Sequence, residues 1–201
     1  MSKGRLIVFS APSGCGKGTM LAEILKNEDF CCAVSATTRQ PRTGDVDGVN
    51  YYFMSREEFE KKISENAFLE YAEYCGNYYG TLVEEVDSHL NAGKNVILEI
   101  EVQGAMKIKS LRPDTLMIFV VPPSIGELRR RLNKRGTEIP EVIERRVAAA
   151  SEEISKAVNY DYIIVNDGLE EAVEDFFTVV KAERLKTGYS AEILDEVMKN
   201  A

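Results

Sequence analysis

Leu6-Ile7-Val8-Phe9-Ser10-Ala11-Pro12-Ser13-Gly14-Cys15-Gly16-Lys17-Gly18-Thr19 decides how the rest of the chain is read. An apolar run stops at a glycine-bearing turn, a lysine follows, and Met20, Leu21, Ile24 and Leu25 continue at helical spacing. This predicts strand, loop and helix. Glycine lets the backbone approach an anion closely and turn its N–H groups inward, and the new helix points its positive dipole end at the same place. Lys17 adds a full charge. The stretch from Ala11 to Thr19 reads as a phosphate-binding P-loop. It departs from the strict pattern at two positions. Ala11 stands where the pattern has glycine. Gly18 follows the lysine where Ser or Thr would contact Mg²⁺, and Thr19 comes one residue late. On this stretch alone, a glycine-rich strand-to-helix turn without a ligand is the competing reading.

The chain has 201 residues, enough for one domain with a core and inserted parts. Its formal charge of −8 argues against general nucleic-acid binding, which rests on neutralising many phosphates. No stretch reaches the ~18 apolar residues of a membrane span. The start lacks the apolar length and small-residue cleavage site of a signal peptide. Cys15, Cys31, Cys32 and Cys75 form no C-x-x-C pair and read as free thiols of a reducing cytoplasm. Cys15 lies in the anion loop, where either a lowered thiol pKa or simple space-filling is open. His89 is the only histidine, so histidine metal sites and Ser-His triads are excluded.

Downstream, Cys31 to Thr38 reads as one extended run. Pro41 then stiffens a loop carrying Arg39 and Arg42, with the hydroxyls of Ser35, Thr37 and Thr38 close by. Two guanidinium forks and several hydroxyls suit a phosphate, but a solvated polar loop fits equally well. Val49 to Met54 is strand-like, Ser55 to Glu58 is a capping box, and Phe68 to Tyr74 alternates as a half-buried strand. Gly76-Asn77 marks a turn. A helix follows from Leu82 to Asn91. Asn95 to Glu101 is a buried strand ending in acids, Glu99 and Glu101, the form in which a P-loop protein places carboxylates near a nucleotide's Mg²⁺. Further expected elements are a helix over Gln103–Leu111, a strand over Thr115–Val121, a helix after Ser124, a helix from Pro140 to Val158, a strand over Tyr162–Val165 and a last helix stopped at Gly188. The arginines between 129 and 146 either decorate solvated helix faces or belong to a lid over a polyphosphate.

Taken together, the runs Ser10 to Lys17, Val34 to Arg42, Tyr51 to Phe53, Gly76 to Gly80, Leu98 to Gly104, Arg135 to Thr137 and Val165 to Asp167 resemble the guanylate kinase family, in the family's order, over residues 4–184. The resemblance implies an α/β fold: a three-layer P-loop core with a parallel sheet (about 1–34, 88–123 and 151–187), an inserted mixed α/β GMP-binding subdomain (35–87) and a helical lid (124–150). Residues 188–201 form a tail. It also implies transfer of the ATP γ-phosphoryl group to GMP with Mg²⁺, in the cytoplasm, with ATP and GMP as partners and neither nucleic acid nor membrane. The oligomeric state stays open.

By the same resemblance, Ala11, Pro12, Ser13, Gly14, Cys15, Gly16, Lys17, Gly18, Thr19 and Asn166 bind ATP, Asn166 near adenine. Ser35, Arg39, Arg42, Tyr51 and Tyr79 hold the GMP phosphate, and Glu70, Thr81 and Glu101 read guanine. Lys17, Arg42, Arg135 and Arg146 act on the phosphates. Glu99 organises Mg²⁺ through water, with Thr19 a second candidate. A carboxylate such as Glu70 accepts both donors of the guanine edge, which adenine lacks. Thr81 is placed to donate to O6. Two other readings are a guanylate-kinase-like peptide-binding module and a kinase for another nucleoside monophosphate. The retained Lys17, Arg39, Arg42, Arg135 and Arg146 argue against the first, and Glu70 with Thr81 against the second.

Overall fold

The structure is a computed structural model and describes residues 3–135, 139–187, 194 and 197–199, with the side chain of Arg135 outside that set. The expected stop at Gly188, the Gly136-Thr137 pair and most of the tail therefore lie outside the described residues. The elements run β1 (Leu6–Ser10), α1 (Lys17–Ile24), β2 (Phe30–Cys32), β3 (Ala36–Thr37), β4 (Tyr52–Phe53), α2 (Arg56–Ser64), β5 (Phe68–Tyr74), β6 (Asn77–Leu82) and α3 (Val83–Asn91). Then come β7 (Asn95–Leu98), α4 (Val102–Leu111), β8 (Leu116–Val121), α5 (Ile125–Arg135), α6 (Pro140–Ser155), β9 (Tyr162–Val165) and α7 (Leu169–Arg184).

Among the described residues, β2, β7, β1, β8 and β9 pair in that order as one parallel sheet, with Val8 opposite Leu98 on one side and Met117 on the other. Its strands are apolar on both faces because helices cover both faces. Successive residues point to opposite sides. Leu6 and Val8 therefore join Leu98, Met117 and Phe119 beneath α3 and α4, while Ile7 and Phe9 join Ile97, Ile118 and Val120 beneath α1 and α7. Phe176 of α7 meets Phe9 edge-to-face at 5.5 Å and is fully buried, so truncating it to alanine costs about 3–5 kcal/mol.

A second, four-stranded sheet has the order β4-β3-β6-β5. Against it packs α2, which opens at the predicted capping box of Ser55 and Glu58 and stacks Phe59 between Phe68 and Tyr78. The β5–β6 hairpin turns on Cys75 (φ 49°) and Gly76 (φ 76°), one residue before the expected Gly76-Asn77. A two-residue turn with both φ positive matches the strand twist, and Asn77 already pairs with Tyr74.

Three other expectations shift. The run from Cys31 to Thr38 is two strands in different sheets, because Ala33 to Ser35 carries the chain from one to the other. Val49 to Met54 keeps only Tyr52–Phe53 as strand: the turn at Gly48 (φ 72°) leaves Val49 exposed. The helix from Pro140 stops at Ser155 and tightens to a 3₁₀ turn over Lys156–Asn159.

Candidate active site

The loop after β1 meets α1 at Gly16, which holds a left-handed backbone (φ 82°) and caps the helix without a side-chain bond. Thr19 and Met20 donate their N–H groups to the Gly16 carbonyl, so the N–H groups of Lys17 and Gly18 precede any intrahelical acceptor. The first turn carries no acid. These are the ingredients of an anion cradle. A cavity of about 550 Å³ opens over it, lined by the loop, Lys17, Thr19, Glu99, Glu101 and Glu153. Lys17 Nζ lies 3.4 Å from Glu99 Oε1, at the carboxyl end of β7. Ser10 locks the neighbouring strand ends by donating its hydroxyl to the Ile100 carbonyl at 2.7 Å.

The loop is packed from beneath. Cys15 is fully buried among Leu128, Leu132, Ile143, Val147 and Ala150 of α5 and α6. Burial pushes its thiol up to about 12, so the space-filling reading holds and the lowered pKa does not. Gly14 (φ 94°) lies so close to α5 that a Cβ there would stand 2.9 Å from Leu128 and Leu132. Asn166 is buried and donates its amide to the Cys15 carbonyl at 2.7 Å. A cavity of about 480 Å³ on this side is lined by Gly14, Gly16, Thr19, Arg131, Lys134, Asn166, Asp167 and Leu169.

The arginine run divides by role. Arg129 pairs with Glu144 across α5 and α6, and Arg130 with Glu127 on its own helix. Arg131 shares Glu127 but also donates to the Asn166 carbonyl at 2.9 Å, tying α5 to the loop after β9. The fork of Arg130 and Arg131 holds the Glu127 carboxyl down at about 2. Arg146 of α6 reaches the phosphate loop and donates to the Ser13 hydroxyl. Arg135 ends α5, and its side chain lies outside the described set.

A third cavity, about 280 Å³, lies between the two sheets and is lined by Ser35, Tyr51, Glu70, Tyr79, Glu99, Ile100, Glu101, Gln103, Gly104 and Lys107, among others. It shares the wall Glu99–Ile100–Glu101 with the cavity over the phosphate loop. Five residues expected to bind GMP thus meet here, Ser35, Tyr51, Glu70, Tyr79 and Glu101, beside Glu99, expected at the Mg²⁺. Glu70 is desolvated, which raises its carboxyl pKa, opposed by the Thr81 hydroxyl and the nearby Lys107. Thr81 is buried and donates to Glu70 Oε1 at 2.8 Å, so its hydroxyl supports Glu70 from behind and does not line the cavity. Arg39 lies over the rings of Tyr51 and Phe53 and pairs with Asp45 at 2.9 Å. Arg42 gives Asp45 its backbone N–H at 2.7 Å and leaves its guanidinium exposed. That backbone bond, then Arg39, lowers the Asp45 carboxyl pKa. Asp45, Lys107, Arg131 and Glu153 were not singled out in the sequence for the work they do here. Only Asp45 left a local trace, as the acid closing the Pro41–Gly44 loop.

The family model "Guanylate kinase" matches residues 3–183. The guanylate kinase of Thermus thermophilus is 47% identical over 197 residues, covering 98% of this chain and 90% of its own. That of Clostridium tetani is 50% identical over 186 residues, covering 92% and 89%. The crystal structure of guanylate kinase from Anaplasma phagocytophilum superposes with a TM-score of 0.69 at 36% identity, covering 92% of this chain and 89% of that one.

Proposed function

The chain belongs to the guanylate kinase family, and from that premise we propose how its residues divide the work of moving the γ-phosphoryl group of ATP to GMP. The reaction is ATP-dependent phosphorylation of GMP, giving ADP and GDP. The observation that carries the assignment is the wall Glu99–Ile100–Glu101, which separates a phosphate cradle from a carboxylate-floored cavity.

Residues Ala11 to Thr19 hold the ATP phosphates, with Lys17 on the β/γ oxygens and the adenine against the cavity beside Asn166. The GMP phosphate lies among Ser35, Arg39, Arg42, Tyr51 and Tyr79, and Arg39 meets it already oriented by Asp45 and two rings. Glu70 accepts N1–H and the 2-amino group of guanine, and Glu101 borders the same base. Adenine would leave the outer oxygen of the desolvated Glu70 carboxylate without a donor, a penalty of about 1–3 kcal/mol or more. Deoxy-GMP keeps the base edge and is used more weakly. The acceptor phosphate is already anionic, so no general base is assigned. The residues contribute alignment and charge neutralisation, with Arg42, Arg135 and Arg146 supplying cations around the transferring group.

Mg²⁺ fits this donor set. Glu99 and Thr19 are exposed oxygen donors on the phosphate cavity, and the described residues form no cluster of three metal-ligating side chains. A cation held mainly by substrate phosphates and water suits such a sparse site. When bound, it neutralises charge on the polyphosphate. Among the described residues no helix is long and apolar enough to cross a membrane. The four free cysteines fit a cytoplasmic location. We also assign residues 35–87 and 124–150 as parts that close over the bound nucleotides, which small-angle scattering with a bisubstrate analogue would register as compaction.

A coupled ADP-release assay with GMP, dGMP, AMP, UMP and CMP tests the reading. GMP turnover well above the others is expected. Equal turnover of AMP would remove the guanine-reading role of Glu70, and no turnover of any monophosphate by folded protein would favour a binding module.

A further inference from the structure

Thr81 binds one oxygen of Glu70 from behind, and the other oxygen faces α4. A Cβ on Gly104 would stand 3.6 Å from Glu70 Oε2, so the missing side chain keeps that approach open. Lys107 follows one turn later on the same helix face and lines the same cavity. Among the described residues it is the one cation lining that cavity, and none pairs with Glu70 within 4.0 Å.

Thr81 stabilises the ionised form through its hydrogen bonds but carries no charge, and the remaining groups around Glu70 bring no positive charge. Tyr79 on β6 and Tyr51 before β4 bring neutral hydroxyls, Glu99 and Glu101 bring like charge from the turn between β7 and α4, and its own strand offers Tyr71 and Glu73. Reading guanine requires the ionised form, because a protonated carboxyl surrenders one acceptor to an O–H donor.

We propose that Lys107 is a positioning residue for base recognition: its ammonium is the counter-charge that keeps Glu70 ionised and able to accept both donors of the guanine edge. This rests on the reading of Glu70 given above. Burial works against the charge on Glu70 and Lys107 works for it, in agreement with the cavity geometry. A helix residue that forms no ion pair with Glu70 within 4.0 Å would thereby shift the pH range over which the base is read, alongside the Thr81 hydrogen bond.

The test compares the parent with Lys107→Met and Lys107→Arg. It follows kcat and KM for GMP, and inhibition by guanosine, which carries no titrating phosphate, from about pH 5.5 to 8.5. Lys107 is exposed, so the variants keep the fold, which thermal unfolding checks. In Lys107→Met the acid limb of guanosine binding should move up by about one pH unit. The loss should fall on KM rather than kcat, shrink toward high pH and be restored by arginine. On a Glu70→Gln background, Lys107→Met should no longer change the pH profile. An unshifted limb, or a loss equal at every pH, would overturn the proposal. A parent that turns over AMP as fast as GMP would instead overturn the guanine reading, and this inference with it.

Discussion

The side-chain amide of Asn166 donates a 2.7 Å hydrogen bond to the backbone carbonyl of Cys15, so the loop after β9 holds the phosphate loop in place. Both groups are buried. Asn166→Ala leaves the carbonyl unpaired and should cost about 1–3 kcal/mol in urea unfolding. If ATP lies as proposed, the KM for ATP should rise while the KM for GMP stays near its original value, because Asn166 lines the cavity beside the loop and not the one that holds Glu70.

Two loop glycines should respond in opposite ways. A Cβ on Gly16 would meet Asn166 Nδ2 at 2.5 Å from a backbone at φ 82°. Gly16→Ala therefore combines left-handed strain with loss of the Asn166 bond, and a fall of about 2 kcal/mol or more is expected. Gly18 has nothing within 4 Å of its would-be Cβ and sits inside α1. Gly18→Ala should leave stability unchanged or raise it by up to about 1 kcal/mol through helix propensity. Paired thermal melts check both.

Glu70→Gln should weaken guanine reading and yet stabilise the protein at neutral pH. Burial raises the folded-state pKa of Glu70 above the unfolded value of 4.5. Between those two values the folded chain binds more protons than the unfolded one, so stability falls as pH rises through that window. Above the window the parent carries the full cost of a desolvated carboxylate, and glutamine carries none. The Tm difference should favour the variant at pH 7 and vanish below about pH 4.5.

Thiol labelling should single out Cys75, the exposed residue at the hairpin tip. Burial raises the pKa values of Cys31, Cys32 (to about 11) and Cys15 (to about 12), which keeps their reactive thiolate scarce. At pH 8 one thiol per chain should react fast, and Cys75→Ser should remove that phase.

Local chemistry made much of this molecule legible. The strand-loop-helix at Leu6 to Ile24 and the capping box at Ser55 depend on neighbours in sequence and form where their residues predict, while the strand expected over Asn95–Glu101 stops at Leu98 and its acids follow it in the turn before α4. What stayed hidden depends on distant partners. Nothing around Cys31 to Thr38 announces that its two ends pair with strands of different sheets. Thr81 reads as a ligand donor until Glu70, eleven positions earlier, is seen to accept its hydrogen bond. Arg131 cannot be told from Arg129 and Arg130 until the carbonyl of Asn166, 35 positions away, stands beside it. Nothing in the sequence marks Lys107, because its meaning comes from the cavity it lines.

Cys15 belongs to the phosphate loop through its backbone and to the packing of α5 and α6 through its side chain. Position 15 therefore answers to volume where the rest of the loop answers to charge and backbone shape. A larger or smaller residue there would lift or drop the loop relative to the start of α1, changing the spacing of its N–H groups with no new contact to the anion. Interior fit at position 15 should therefore tune the shape of the anion cradle through a side chain buried between α5 and α6.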